Sequence, residues 1–260
     1  MTTLNSALKL GGISSVIAAS MTETERRALN TREISLLIDP AERAQEYPGV
    51  TLRDRVGARV LTTSGCSIVL DGSTPALDVA NVAKCIVDYT VGASYFVAVA
   101  VDIDTLADTG NLISSSDTSD NRLFFGLLGS AKLRIDHGGT DVLEHDGVTL
   151  TGQHVFWASY DAVTGAAALG MDAVTPAQSG TFSGPHKGTA QTWLFGGDTG
   201  WGMDGRAYLA VAGDRYLGGD EHANVRAALL SWCAERNGVA LASSPEKNQD
   251  HTTRRRRAFL

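Results

Sequence analysis

The sequence predicts an all-β protein: an antiparallel two-sheet jelly-roll sandwich, with an N-terminal arm containing short helices and a C-terminal helix. Two observations carry that prediction. From about residue 50 the chain breaks into short runs rich in Val, Ile, Phe, Tyr and Trp, separated by Gly, Asp, Ser and Asn clusters. No helical period falls between those runs, as a βα-alternating parallel sheet would require.

The first 20 residues are small and apolar, with Gly11-Gly12 among them, and show no clear period. Thr22-Glu23-Thr24-Glu25 fits a capping box and opens a short helix. Ile34, Leu36 and Ile38 alternate as in a strand, and Asp39-Pro40-Ala41-Glu42 places an N-cap and a first-turn Pro for a second short helix. The strand runs are Cys66–Leu70, Cys85–Tyr89, Tyr95–Ile103, Leu123–Leu128, Lys132–Asp136, Val155–Tyr160, Ala166–Met171, Thr192–Phe195 and Ala207–Ala212. Asp71-Gly72, Gly138-Gly139, Asp146-Gly147, Thr164-Gly165 and Gly196-Gly197 supply turns. Val225, Ala228, Leu229, Trp232 and Cys233 form one helical apolar stripe, with Asp220 as the expected N-cap and Asn237-Gly238 as the stop. The expected organisation is an arm over 1–60, the β body with its closing helix over 61–240, and a basic tail over 241–260.

Charge and composition exclude several classes. The formal net charge is −7 over 260 residues. The tail holds five basic and two acidic side chains, so the remaining 240 residues carry 17 basic against 27 acidic ones. An acidic body repels polyanions, so nucleic acid is not an expected partner. No apolar run approaches the ~20 residues that span a bilayer, so membrane insertion is not expected. The N-terminus lacks the basic and apolar regions of a secretory signal. Cys66, Cys85 and Cys233 are too widely spaced to read as a disulfide framework or a zinc cluster, and Cys233 reads as a buried helix residue. The tail residues Arg254, Arg255, Arg256, Arg257, Phe259 and Leu260 read as a solvated terminus or as a peptide that docks on an acidic neighbour.

The run from Ser67 to Gly238 resembles the concanavalin A-like, laminin-G-like jelly-roll superfamily, of the kind found in phage virion proteins. The matching pieces occur in order. They are Ser67 to Gly72, Tyr95 to Val101, His154 to Asp161 with Thr164-Gly165, and Trp193 to Gly197 with Met203 to Tyr208. Leu217 to Gly238 is similar to the helix that closes many such domains, and Pro48 to Gly57 to the segment that precedes them. The resemblance implies the fold more sharply than the function, because the fold hosts lectins, glycosidases, adhesion modules and virion proteins.

Candidate chemistry is sparse. The Glu-x-Asp-x-Glu strand of jelly-roll glycosidases is absent, and Glu144-His145-Asp146 sits beside a Gly turn with another spacing. The sequence has no nucleophile elbow and no phosphate loop, so no catalytic residue is assigned. Ala100 to Thr105 resembles the metal-binding strand of legume lectins, which implies calcium held by Asp102, Asp104 and, from the following loop, Asn111, with Asp117 and Asp120 in the same loop. The nearest counterpart of the lectins' further ligands is Asp136-His137. The competing reading of these residues is turn-forming Asp and Asn. Trp157 and Trp193 lie inside apolar strands and read as core. Trp201, in a Gly-rich loop, and Tyr216 are the aromatic candidates for contact with a glycan or a protein.

The expected function is a non-enzymatic bacteriophage virion protein, a capsid decoration or tail-fibre component displaying a lectin-like domain. It would be assembled in the host cytoplasm, sit on the particle surface, and touch other virion proteins, copies of itself or a host surface glycan. The alternative is a carbohydrate-binding adhesion module, with or without calcium. A glycoside hydrolase or lyase is third.

Overall fold

The computed structural model describes residues 21–42, 52–106, 109–115, 120–129, 131–189, 191–196 and 202–242. Helix α1 (Glu23–Asn30) begins at the expected capping box, where Thr22 Oγ1 accepts the Glu25 N–H at 3.2 Å. Strand β1 (Leu36–Ile38) follows, then a 3₁₀ turn (Pro40–Glu42) whose Ala41 N–H is held by Asp39 at 3.0 Å. The β body runs through β2 (Leu61–Asp71), β3 (Thr74–Val87), β4 (Tyr95–Leu106), β5 (Thr109–Ser115), β6 (Leu123–Leu128) and β7 (Lys132–His137). It continues through β8 (Asp141–Asp146), β9 (Gly152–Tyr160), β10 (Ala166–Met171), β11 (Gln178–Thr181), β12 (Thr192–Leu194) and β13 (Met203–Gly213). Helix α2 (Ala223–Asn237) closes it.

Every pairing between these strands is antiparallel, in the order β11-β10-β9-β4-β13-β3-β12-β5-β6-β7-β8, with β1 added to β13 and β2 to β3. The all-β sandwich is therefore as the sequence predicts. One strand belongs to both sheets. Leu77–Val79 of β3 pair with β13, and Cys85–Val87 of the same strand pair with β12. Between them the β2–β3 register slips, so that Gly65 alone stands opposite residues 80–83. Gly65 takes φ +76°, a conformation that favours glycine, and a Cβ there would press on Ala83. The sheet turns this corner and continues as a second layer. On the far side β8 packs against β10 and β11, which leaves the sandwich nearly closed.

Alternation sorts the side chains into three layers. Tyr95, Val97, Val99, Val101 and Ile103 of β4 face inward and meet Leu123, Phe125 and Leu127 of β6 and Leu133 and Ile135 of β7. Phe96, Ala98 and Ala100 face outward, with Trp157 of β9, and are covered by Leu229, Leu230, Trp232 and Cys233 of α2. Helix α1 packs on α2 rather than on the sheet. The described part of the stretch read as an arm thus supplies a helix and an edge strand to the body.

Two polar devices lock the helical layer. Arg55 Nη1 donates to Glu25 at 2.9 Å and to Asp39 at 2.9 Å, while Arg236 reaches Asp39 at 2.9 Å and Glu25 at 3.6 Å. Two guanidiniums and two carboxylates balance in charge there, joining α1, the end of β1, the segment after residue 52 and α2. Asp54, also buried, accepts the N–H groups of Leu37 (2.9 Å), Val56 (3.0 Å) and Gly57 (2.9 Å).

Arg226 is the second device. It is 1% exposed, lies 5.1 Å from the Trp157 ring, and donates to the carbonyls of Val174, Leu217 and Gly219. The apolar stripe read from the sequence passes beside it. The helix start also differs from the expectation. Asp220 opens a 3₁₀ turn (Asp220–His222) behind Gly219, and the α-helix begins only at Ala223. Gly238, at φ +74°, ends it as expected. Replacing Arg226 with Leu strips three carbonyls of their donor, so the urea-unfolding free energy of Arg226→Leu falls by about 3 kcal/mol; an unchanged midpoint would show the three bonds to be dispensable.

Candidate functional site

The two outer faces of the sandwich are unlike each other. On the first sheet the outer face is filled by the helices, whose packing partners are β4, β9, β13 and one another. On the second sheet, outward-facing residues line up across paired strands: Ile86 of β3, Trp193 of β12, Ser114 of β5, Phe124 of β6, Asp136 of β7 and Val142 of β8. An adjacent row holds Asn111, Gly126, Arg134 and Glu144.

This face mixes an aromatic platform with buried polar groups. Trp193 is half-buried, and the Lys84 ammonium lies 5.1 Å from its ring centroid. Asp136 is fully buried between Arg134 at 3.0 Å and Arg122 at 3.5 Å, and accepts the Gly139 N–H at 3.2 Å. Arg122 also covers the Phe124 ring at 5.3 Å. Asn111 is completely buried and donates to the Gly196 carbonyl at 2.7 Å. Its Oδ1, and the Oγ of buried Ser114, have no hydrogen-bond partner among the described residues. Buried polar atoms without partners carry a desolvation cost of about 1–3 kcal/mol each, so their presence on one face needs a reason.

The residues singled out in the sequence are distributed otherwise. Asp102 and Asp104 lie two apart on β4 and share the outer face of the first sheet, opposite Arg206 of β13. Burial, then the charges of Asp104 and Asp71, raise the Asp102 carboxyl above its ordinary range. Asn111 is on the other outer face, so the structure does not bring the three expected calcium ligands together. Asp136 and His137 also diverge, because neighbouring strand residues point to opposite faces. Among the described residues no group of three His, Cys, Asp or Glu side chains is placed to hold a metal ion. Glu144-His145-Asp146, expected beside a turn, ends β8, where Lys132 bridges Glu144 (3.0 Å) and Asp146 (3.3 Å). Tyr216 is partly buried on the helix side, its ring 6.4 Å from that of His222. Trp201, Asp117 and the tail residues Arg254 to Arg257, Phe259 and Leu260 lie outside the described residues.

The candidate that the sequence misassigned is Trp193, read as core because it stands between Thr192 and Leu194. Those two do face inward, and the indole faces out. His137 was named only for the metal reading. It faces the interior instead, packed against Tyr160, Phe182, Tyr95 and His186. Its Nε2 meets the Tyr95 hydroxyl at 2.8 Å and its Nδ1 the Gly184 carbonyl at 3.0 Å. That pattern fits a neutral ring donating from Nδ1.

No protein-family model matches the chain, and no curated protein does. Solved structures match its fold. Domain 4 of AbnA, an extracellular family 43 arabinanase of Geobacillus stearothermophilus solved with arabinotriose, aligns at a TM-score of 0.58 with 14% identity, over 75% of this chain and 98% of that one. The binding domain of Paraclostridial mosquitocidal protein 1 aligns at 0.57 with 10% identity, over 77% of this chain and 52% of its own. The binding domain of botulinum neurotoxin DC, in complex with SialylT, aligns at 0.53 with 9% identity, over 75% and 50%. This chain therefore spans the whole of the first and about half of the other two, and shares with them the lectin-like jelly-roll sandwich.

Burial holds the His137 ring down at about 4, against an ordinary value of 6.5, because the charged form loses its hydration. The unfolded chain takes up that proton first, so the stability is complete above pH 6.5 and is lost as the pH falls through 4. Urea midpoints should show a loss of roughly 3 kcal/mol across that window. His137→Phe is less stable at neutral pH but flatter across the window; an equal slope in both proteins would assign the acid sensitivity elsewhere.

Proposed function

We propose that this chain is a non-catalytic, glycan-binding jelly-roll module whose ligand lies on the outer face of the second sheet, at Trp193. The observation that carries the reading is an outward, half-buried indole with a lysine ammonium 5.1 Å from its ring centroid. A sugar presents an apolar C–H face and a ring of hydroxyls. An indole receives the first, and the Lys84 ammonium beside it can donate to the second. The likeness in fold to a domain solved with arabinotriose and to one solved with SialylT supports the same reading.

Asp136 and Glu144, carboxylates on this face, are both engaged in ion pairs, Glu144 with Lys132 at 3.0 Å and Arg134 at 3.4 Å. Asp136, the buried one, is tied to two guanidiniums, Arg134 at 3.0 Å and Arg122 at 3.5 Å, an arrangement that supports a structural role for it. The narrower reading, a bacteriophage virion component that displays this module, rests on the sequence resemblance and the arginine-rich tail. Absence of the protein from purified particles would remove it.

Glycan-array binding of the full chain, with arabino-oligosaccharides and sialylated glycans among the probes, tests the module directly. Binding is expected to survive a chelator, and no probe is expected to be cleaved. Trp193→Ala should weaken binding about tenfold, equivalent to about 1.4 kcal/mol, with the circular dichroism spectrum unchanged. Unchanged affinity in that variant would move the ligand off this face, and a blank array would sink the module reading.

A further inference from the structure

The corner of β3 carries two thiols that the sequence separates by 18 residues. Cys66 follows Gly65 on β2, and Cys85 lies beyond the slipped segment 80–83 on β3, so the pair straddles the bend between the two sheets. Both side chains face the inner core. Their sulfurs are 2.9 Å apart, inside ordinary thiol contact, and about 1 Å of approach separates them from a covalent bond. Cys85 is completely buried, whereas Cys66 is partly exposed.

We infer that Cys66 and Cys85 are a reversible dithiol–disulfide pair that staples the corner joining the two sheets. The asymmetry of the site sets the order of events. The hydrogen bond from Cys85 lowers the Cys66 thiol below its ordinary value, while that same bond and burial push Cys85 up. Cys66 is therefore the attacking thiolate. The oxidant is a small disulfide such as oxidised glutathione. Cys66 Sγ attacks one of its sulfurs, forming a mixed disulfide and expelling one thiolate. Cys85 then attacks Cys66 Sγ, and the second thiolate departs with the proton that Cys85 gives up. Two protein thiols are oxidised, one small disulfide is reduced to two thiols, and no further electron acceptor is needed. Cys233 takes no part: it lies completely buried under α2, and burial holds its thiol up at about 12.

The position gives the bond a mechanical role. Cys85 pairs with Leu194, next to Trp193, and follows Lys84 in the chain. A bridge here fixes β12 and the Trp193 face relative to the first sheet.

The test uses the full chain, reduced, freed of reductant and exposed to oxidised glutathione, then acid-quenched and alkylated. Trypsin cuts after Lys84, so the peptides 60–84 and 85–122 stay together only through the bridge. The expected result is that linked pair, with Cys233 alkylated, and an unfolding midpoint raised by roughly 5–10 °C that returns on reduction. In Cys66→Ser, Cys85 should remain a free thiol under the same treatment. Three alkylated cysteines, a glutathione adduct that persists on Cys66, or a bridge to Cys233 would each overturn the inference.

Discussion

A sheet of thirteen strands whose central members, β4, β6, β7, β9 and β13 among them, carry an apolar face can hide that face only by doubling back on itself. The bend in β3 is where this happens, and the rest of the molecule follows from it. A strand cannot pair with β13 and β12 in one plane, because both lie on the same side of it. The slipped register against β2, with Gly65 opposite residues 80–83, lets the two halves of the strand lie in different layers. Gly196 shows how tight the junction is: a Cβ there would collide with the Ala83 carbonyl oxygen, and its φ of +120° suits glycine alone. Once the sheets face each other, Val97, Val99, Phe125 and Ile135 meet in the middle, and the outer faces are left to acquire separate uses.

Those uses diverge. The first sheet's outer face is apolar under α2, and the buried Arg226 and the Glu25–Asp39–Arg55–Arg236 quartet fasten the helical layer to it. The second sheet's outer face keeps a carboxylate, two guanidiniums, an amide and a hydroxyl beside an indole. A core has no need of that chemistry, since burying polar groups is unfavourable unless each is paired. The two outer sides thus differ in kind: apolar packing holds the first, charge pairs and hydrogen bonds the second.

Strands with plain apolar runs were legible in the sequence: β4, β6, β7, β9, β10 and β13 appear close to their expected limits. Three strands were not, and of β3 (Thr74–Val87) only the end was read, as Cys85–Tyr89. In β5, Thr-Gly-Asn-Leu-Ile-Ser-Ser reads as turn chemistry, and a register shift between Asn111 and Ile113 breaks its alternation. In β8 the acidic residues hide a strand whose Glu144 and Asp146 are met by Lys132 and Arg134 across the ladder. In β11, Gln-Ser-Gly-Thr has no apolar residue, and pairing to β10 holds it in place. The candidate site was hidden for a different reason. A period of two tells which residues share a face, but not which face a helix will cover, so Trp193 could be placed on a strand and not in a layer. The Cys66–Cys85 contact depends on a corner between distant register segments, and spacing along the chain carries no trace of it.

The edge of β2 also bears on how a second copy could add to the sheet. The far side of the sandwich is shut where β8 meets β10 and β11, but among the described residues β2 pairs with β3 alone. That edge carries Thr62, Thr63 and Ser64, is broken at Gly65, and continues through Ile68, Val69 and the exposed Leu70, so a neighbouring chain finds two short halves rather than one long, straight template. The break at Gly65 limits any strand that a second copy could add to one half of the edge, about five residues. So short a template keeps the register of any added strand weakly specified, which makes the bend that joins the two sheets also the feature that blunts their free edge.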